Sequence, residues 1–201
     1  QIITANLPDG LEDLGKEAFE NNLLVSMTLP DSLIQLGWNV FASNRLESVK
    51  LPAGISNIPR GLFKSNQLSN VRIPSSVVNI GEESFIENQL TSITIPASVA
   101  FIETLAFYKN PLTAMKFLGD RPTFGSTPVE LYGEKIITYC SNTLGWPGEP
   151  IGFYEGFSGV IPIADNSTDS DDDGVSDCSD AFPFDSGESL DTDSDGLGNN
   201  A

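Results

Sequence analysis

Apolar and polar positions along the first 117 residues recur with a constant step of 22. Leu7-Pro8, Leu29-Pro30, Leu51-Pro52, Ile73-Pro74 and Ile95-Pro96 mark the step, and Phe19, Phe41, Phe63, Phe85 and Phe107 keep it. So do Asn22, Asn44, Asn66, Asn88 and Asn110, each followed two places later by a leucine (Leu24 to Leu112). A period between about 20 and 50 residues is the mark of a solenoid, whose units bury their apolar faces only by stacking. Within one copy, Ile93 and Ile95 alternate with Ser92 and Thr94, which predicts a short strand with one face inward. Pro96 has no N–H for a ladder, so the strand stops there. The chain then passes Val99 and Ile102 into a short stretch, helical or irregular, that ends at Phe107. Stacked at about 4.8 Å per step, the Phe positions predict an aromatic spine. The Asn positions predict a ladder of buried amides bonded to turn backbone, because an unpartnered buried amide costs about 1–3 kcal/mol.

The spacing Leu-x-x-Ile-x-Ile-Pro…Val-x-x-Ile-x-x-x-x-Phe-x-x-Asn resembles the bacterial BspA-type leucine-rich repeat over roughly residues 2–117. The resemblance implies an α/β solenoid with a parallel β-sheet on the concave side and short helical or irregular convex segments. It also implies surface adhesion and protein binding. Pro59 and Glu103 depart from the glycine of Gly15, Gly37 and Gly81, so altered turns are expected in those copies with the register kept. Repeated residues hold the solenoid together, which leaves the variable outward positions of the strands to carry function. Ser48, Lys50, Asn70, Arg72, Ser92, Thr94 and Lys116 form the candidate binding set. Lys50 and Arg72 stand one step apart and Lys116 two steps further on, a basic stripe suited to a protein or cell-surface ligand, or to an anionic glycan. The alternative is a solvated edge of polar side chains.

The period fails after Phe117. Residues 118–163 hold one more apolar strand at Ile136-Ile137-Thr138-Tyr139-Cys140 and an aromatic cluster at Trp146, Phe153, Tyr154 and Phe157. Covering the last apolar layer of a solenoid is the economical reading of such a segment; a sugar platform built on Trp146 and Tyr154 is the sharper one.

Composition changes the picture mainly in the tail. The chain carries 28 Asp and Glu against 10 Lys and Arg, a formal charge of -18, and no histidine. Imidazole nucleophile activation and histidine metal ligation are therefore excluded, and the acidity argues against nucleic acid. No apolar run reaches the roughly 18 residues of a membrane span. Every charged residue from Asp165 onward is acidic, so residues 164–201 read as a linker followed by a separate acidic segment.

Asp169-x-Asp171-x-Asp173-Gly174-Val175-x-Asp177-x-x-Asp180 puts oxygen ligands at loop positions 1, 3, 5, 9 and 12, with glycine at 6 and the Val175 carbonyl at 7. The series returns 22 residues later as Asp191, Asp193, Asp195, Leu197 and Asn199. This crowding suits Ca2+, which takes six to eight oxygens; a disordered acidic linker is the alternative. The tail resembles thrombospondin type 3 repeats, which implies calcium-wrapped chain with little hydrophobic core.

Cys140 and Cys178 permit one intrachain disulfide, which would suit an exported protein, or two separate thiols. The chain opens inside a repeat and closes inside a calcium-type loop, so flanking segments are expected. The resulting expectation is a non-catalytic extracellular or cell-surface binding protein with a calcium-stabilised spacer. The different-class alternative is an accessory glycan-targeting region of a larger secreted hydrolase.

Overall fold

The computed structural model describes residues 1–130, 136–141, 143–146, 163–180, 183 and 186–190. Its regular elements are short parallel strands in two columns. The main column holds β2 (Ser26–Thr28), β4 (Ser48–Lys50), β7 (Ser92–Ile95), β9 (Ala114–Phe117), β11 (Ile136–Tyr139) and β12 (Ile163–Ala164). The second holds β1 (Asp13–Leu14), β3 (Gln35–Leu36), β5 (Asn57–Ile58), β6 (Asn79–Ile80), β8 (Phe101–Ile102) and β10 (Thr123–Phe124). Pairing keeps the sequence step: Ser26 faces Ser48, Ile93 faces Met115, and Asn79 faces Phe101.

Each turn of the solenoid follows from local chemistry. The proline ends the main strand, and its carbonyl opens a tight turn closed by the apolar residue three places on, as in Val77 N–H to Pro74 O (3.1 Å) and Val99 N–H to Pro96 O (3.2 Å). The chain then enters the second column, where a polar residue points out and an apolar one in (Asn57-Ile58, Asn79-Ile80). Beyond it no helix forms among the described residues, which corrects the helical option for the stretch ending at Phe107. Two columns of left-handed residues recur instead. One contains Asn39, Gly61, Glu83 and Leu105, the other Ser43, Ser65, Glu87 and Lys109, with φ between 53° and 63°. A left-handed residue every fourth position cannot propagate an α-helix. The amide hydrogens turn to the next rung: Phe41 N–H donates to Leu62 O (3.0 Å) and Phe63 N–H to Ser84 O (2.8 Å).

The aromatic spine forms as expected. Phe19, Phe41, Phe63, Phe85 and Phe107 stack with centroids 5.3–5.7 Å apart, and all but Phe19 are fully buried. This spacing exceeds the about 4.8 Å between bonded strands, so the rungs fan open on the phenylalanine side. The asparagine ladder forms too. Asn88 accepts the Leu68 N–H (3.0 Å) and donates to the Phe63 (2.9 Å) and Phe85 (3.1 Å) carbonyls, and Asn44, Asn66 and Asn110 repeat the pattern.

Pro59 and Glu103 keep the register but differ in effect. Gly37, Gly81 and Gly125 each donate an N–H to the preceding rung, and Glu103 does the same to Ile80 O (2.9 Å). Pro59 has no N–H to give. The second column breaks at that step, between β3 and β5.

Candidate functional site

In the main column the apolar residue of each strand enters the core and its neighbours face outward, as the burial of Met115 and Phe117 beside Ala114 and Lys116 shows. Ser48, Lys50, Asn70, Arg72 and Ser92 are exposed on this outward face, and Thr94 is half-buried. Lys50 and Arg72 are directly paired across a single parallel bridge. Lys50 also meets Asp31 at 3.7 Å, with both side chains more than two-thirds exposed; such a pair contributes at most about 1 kcal/mol.

Strand pairing lapses after Arg72. No ladder joins residues 70–73 to β7 among the described residues, and the sheet resumes as β7-β9-β11-β12. A cleft of about 430 Å³ opens there, with Val71 and Ile93 at its base and Asn70, Arg72, Ser92 and Thr94 at its rim.

Lys116, the third member of the expected stripe, is covered. Its ammonium lies 3.0 Å from an Asp177 oxygen, and the two side chains are only 12% and 1% exposed. Asp177 also accepts the Ser170 N–H (2.7 Å) and hydroxyl (2.9 Å). The acidic tail therefore folds back over the outward face at β9. Three further ties hold it. β12 adds to β11, Asn166 accepts the Ser141 N–H (2.9 Å), and a disulfide joins Cys140 to Cys178. That bond resolves the two readings of the cysteines. Asp165, in the same segment, is held as well: hydrogen bonds from the Ser167 backbone and hydroxyl and from Thr168, with Lys116 nearby, hold its carboxyl below the ordinary carboxylate range.

Of the expected cation ligands, Asp169, Asp171 and Asp173 come together, with one oxygen of each within 4.8 Å of the others. Gly174, at φ 91°, turns the chain and gives its N–H to Asp169 (2.9 Å). Asp173 accepts the Val175 N–H (2.7 Å). Asp177 is turned away to Lys116, and Asp180 is buried. Asp191, Asp193, Asp195, Leu197 and Asn199 lie outside the described residues. One oxygen each of Asp169 and Asp171 is buried with no hydrogen-bond partner. Burial and the neighbouring Asp173 and Asp169 carboxylates push the Asp171 carboxyl above its usual range, against a hydrogen bond from the Asp173 amide. Buried oxygens with like charges beside them fit a hard cation, which would supply what the backbone does not.

Trp146 is not an open platform. It stacks on Tyr139 (5.5 Å), packs against Phe117 (4.7 Å) and donates its indole N–H to Gly119 O (3.2 Å). Tyr154, Phe153 and Phe157 lie outside the described residues. Sequence reasoning missed the tail's return to Lys116 and the lapse after Arg72. The first left no periodic signal. The second is a local failure of a ladder whose residues still follow the repeat.

A crystal structure of a leucine-rich repeat protein from Bacteroides ovatus is similar in fold, with a TM-score of 0.52 and 21% identity. The match covers 69% of this chain and 43% of that one, so the chain spans less than half of the protein it resembles. No curated protein matches. The model of the BspA type leucine rich repeat region matches residues 1–113 in six copies. With the 22-residue step, the paired strands and the asparagine ladder, that match places the chain in the BspA-type leucine-rich repeat family.

Proposed function

We propose that the chain is a non-catalytic binding module of an exported bacterial protein, working outside the cell or at its surface. Protein ligands are recognised on the outward face of the main sheet. The observation that carries this reading is the exposed row Ser48, Lys50, Asn70, Arg72 and Ser92, set on a frame whose buried asparagine column is consumed by inter-rung hydrogen bonds. Rigid strands holding variable side chains are what a binding face requires. The Cys140–Cys178 disulfide supports export, since such bonds persist in oxidising compartments. A sugar-targeting role draws no support from Trp146, whose ring is committed to Phe117 and Tyr139.

The test is a panel of immobilised extracellular proteins and glycans probed with the wild type and with Ser48→Arg/Ser92→Arg. A protein ligand bound at least tenfold more weakly by the variant is expected. Ligands bound equally by both would overturn the reading.

The tail adds a Ca2+ site built on Asp169, Asp171 and Asp173, supported by the convergence of their oxygens and the two buried oxygens without partners. The ion would neutralise carboxylate repulsion and stiffen the docked loop as a spacer. Calorimetry of the intact disulfide-bonded chain should show a heat of Ca2+ binding that is reduced in Asp169→Asn/Asp171→Asn. Chelator should lower the melting temperature of the wild type alone. Absence of both effects would remove calcium from the account.

A further inference from the structure

Lys50 and Lys116 occupy equivalent outward positions of the main column, yet the Lys50 side chain is 82% exposed and the Lys116 side chain only 12%. The tail makes the difference. Among the described residues, Asp177 is the one hydrogen-bond partner of the Lys116 ammonium, and it comes from 61 positions further along the chain. The Ser170 N–H and hydroxyl also hold this carboxylate, so the tail arrives with its anion already aimed. Ion pair and covalent tether are neighbours on both sides of the contact. Lys116 faces Thr138 in the β9–β11 ladder, and Cys140 lies two residues beyond Thr138. Cys178, bonded to Cys140, directly follows Asp177. Two charges taken out of water lose about as much hydration as their attraction returns, so the ion pair by itself holds the tail weakly. The disulfide keeps Asp177 at a high local concentration beside Lys116, and the pair forms on that account. The two sulfurs differ in access. Cys140 is fully buried and Cys178 is half-buried. The chain has no other cysteine, so a thiol reagent acts on this bond alone.

We infer that residues 165–180 form a thiol-released strap, which withholds Lys116 from the outward face until the Cys140–Cys178 bond is cut. The co-reactant is an external dithiol. One of its thiolates attacks the more accessible Cys178 sulfur and displaces Cys140, which leaves as a thiolate and takes up a proton. The second thiolate then resolves the mixed disulfide, freeing Cys178 as a thiol and closing the dithiol into its own disulfide. Two electrons pass from dithiol to protein. With the tether gone the strap lifts, and Lys116 joins the exposed row as a charge-assisted donor for a partner's carboxylate. The inference rests on the reading of the outward face as the binding surface and adds its regulation.

Lysine acylation by a succinimidyl ester, read by mass spectrometry on the full chain, tests the strap without any ligand. In the disulfide-bonded protein Lys116 should react about tenfold more slowly than Lys50, and dithiothreitol should bring the two rates within about threefold. Cys140→Ser/Cys178→Ser should do the same with no reductant present. Lys64, paired with Glu83 inside the solenoid, should not respond to either change, and thermal melts confirm that the solenoid stays folded. Lys116 as fast as Lys50 before reduction, Lys116 still slow after it, or Lys64 accelerating equally would each overturn the strap and leave the binding face to its own panel. Lys116 opening as expected while Ser48→Arg/Ser92→Arg weakens no ligand on that panel would uphold the strap and overturn the binding face.

Discussion

The solenoid and the docked tail bury polar groups by opposite means. In the solenoid each buried asparagine finds its partners one rung away: Asn88, 2% exposed, satisfies an N–H of the rung before it and carbonyls of that rung and its own. Translation by one repeat supplies the buried asparagines with their donors and acceptors, so this ladder needs nothing outside the stack. The tail has no such symmetry. Its buried carboxylates rely on a distant lysine at Asp177 and lack hydrogen bonds at one oxygen each of Asp169 and Asp171. A covalent bond between Cys140 and Cys178 keeps it in place. A repeated element stabilises itself, while a single acidic loop has to be tied down and neutralised from outside.

The largest expected effect tests the first half of that contrast. Asn88→Leu orphans the buried Leu68 N–H and leaves the Phe63 and Phe85 carbonyls with only their bonds from Asn66 and Asn110. At about 1–3 kcal/mol for the orphaned N–H and about 0.5–1.5 kcal/mol for each of the two lost carbonyl bonds, the loss should reach about 2–6 kcal/mol in denaturant unfolding. Asn22→Leu, at the open end where the accepted Ile2 N–H is exposed, should cost about 1 kcal/mol. Equal losses at the two positions would show that the ladder does not depend on burial.

Cutting the tether tests the second half. Closing a 38-residue loop contributes about 4 kcal/mol in the chain-entropy model. Cys140→Ser/Cys178→Ser should therefore abolish amide protection in residues 165–180 while the solenoid amides stay protected. Protection that survives in the tail would mean the ion pair and β12 suffice on their own.

How much of this was legible in the sequence follows from the same contrast. The strand ending at Pro96, the phenylalanine spine and the asparagine ladder all appear as columns at a step of 22, because each contact joins equivalent residues of neighbouring copies. The second strand column was legible in principle, since Asn57-Ile58 and Asn79-Ile80 already alternate polar and apolar. It was read as helical or irregular because two residues are too few to show a period. The left-handed columns were hidden for another reason. Glu83, Leu105 and Lys109 hold φ near 57° although none is glycine, so composition gave no sign of them. In the tail the three-aspartate cluster followed from spacing, but the pairing of Asp177 with Lys116 links a repeated position to an unrepeated one, and no period encodes that.

Lys116 is where the two regions meet. Lys116→Ala would leave Asp177, 1% exposed, without its cation. Breaking a buried pair costs about 3–5 kcal/mol, and here the loss should appear as weakened docking of residues 165–180. Lys116→Met/Asp177→Ala, with neither charge left, should recover much of it. Calcium sharpens the outcome. If added Ca2+ rescues tail protection in Lys116→Ala, Asp177 has left its latch position and joined Asp169, Asp171 and Asp173. If it does not, Asp177 takes no part in a Ca2+ site of this loop.

The smallest effect has the opposite sign and lies where the solenoid departs from its own rule. Ser84 is fully buried, and its hydroxyl has no hydrogen-bond partner. The equivalent positions one repeat before and after are Leu62 and Ala106, both apolar and both fully buried. A buried hydroxyl left unpaired costs about 1–3 kcal/mol, and replacing it with the smaller methyl leaves almost no cavity. Ser84→Ala should therefore stabilise the solenoid by about 1 kcal/mol, seen as a melting temperature higher by about 2–4 °C for a chain of this size. The gain should be the same with the disulfide intact or removed, because the position is coupled to neighbouring rungs and not to the tail. A destabilised variant would mean that the hydroxyl is satisfied after all.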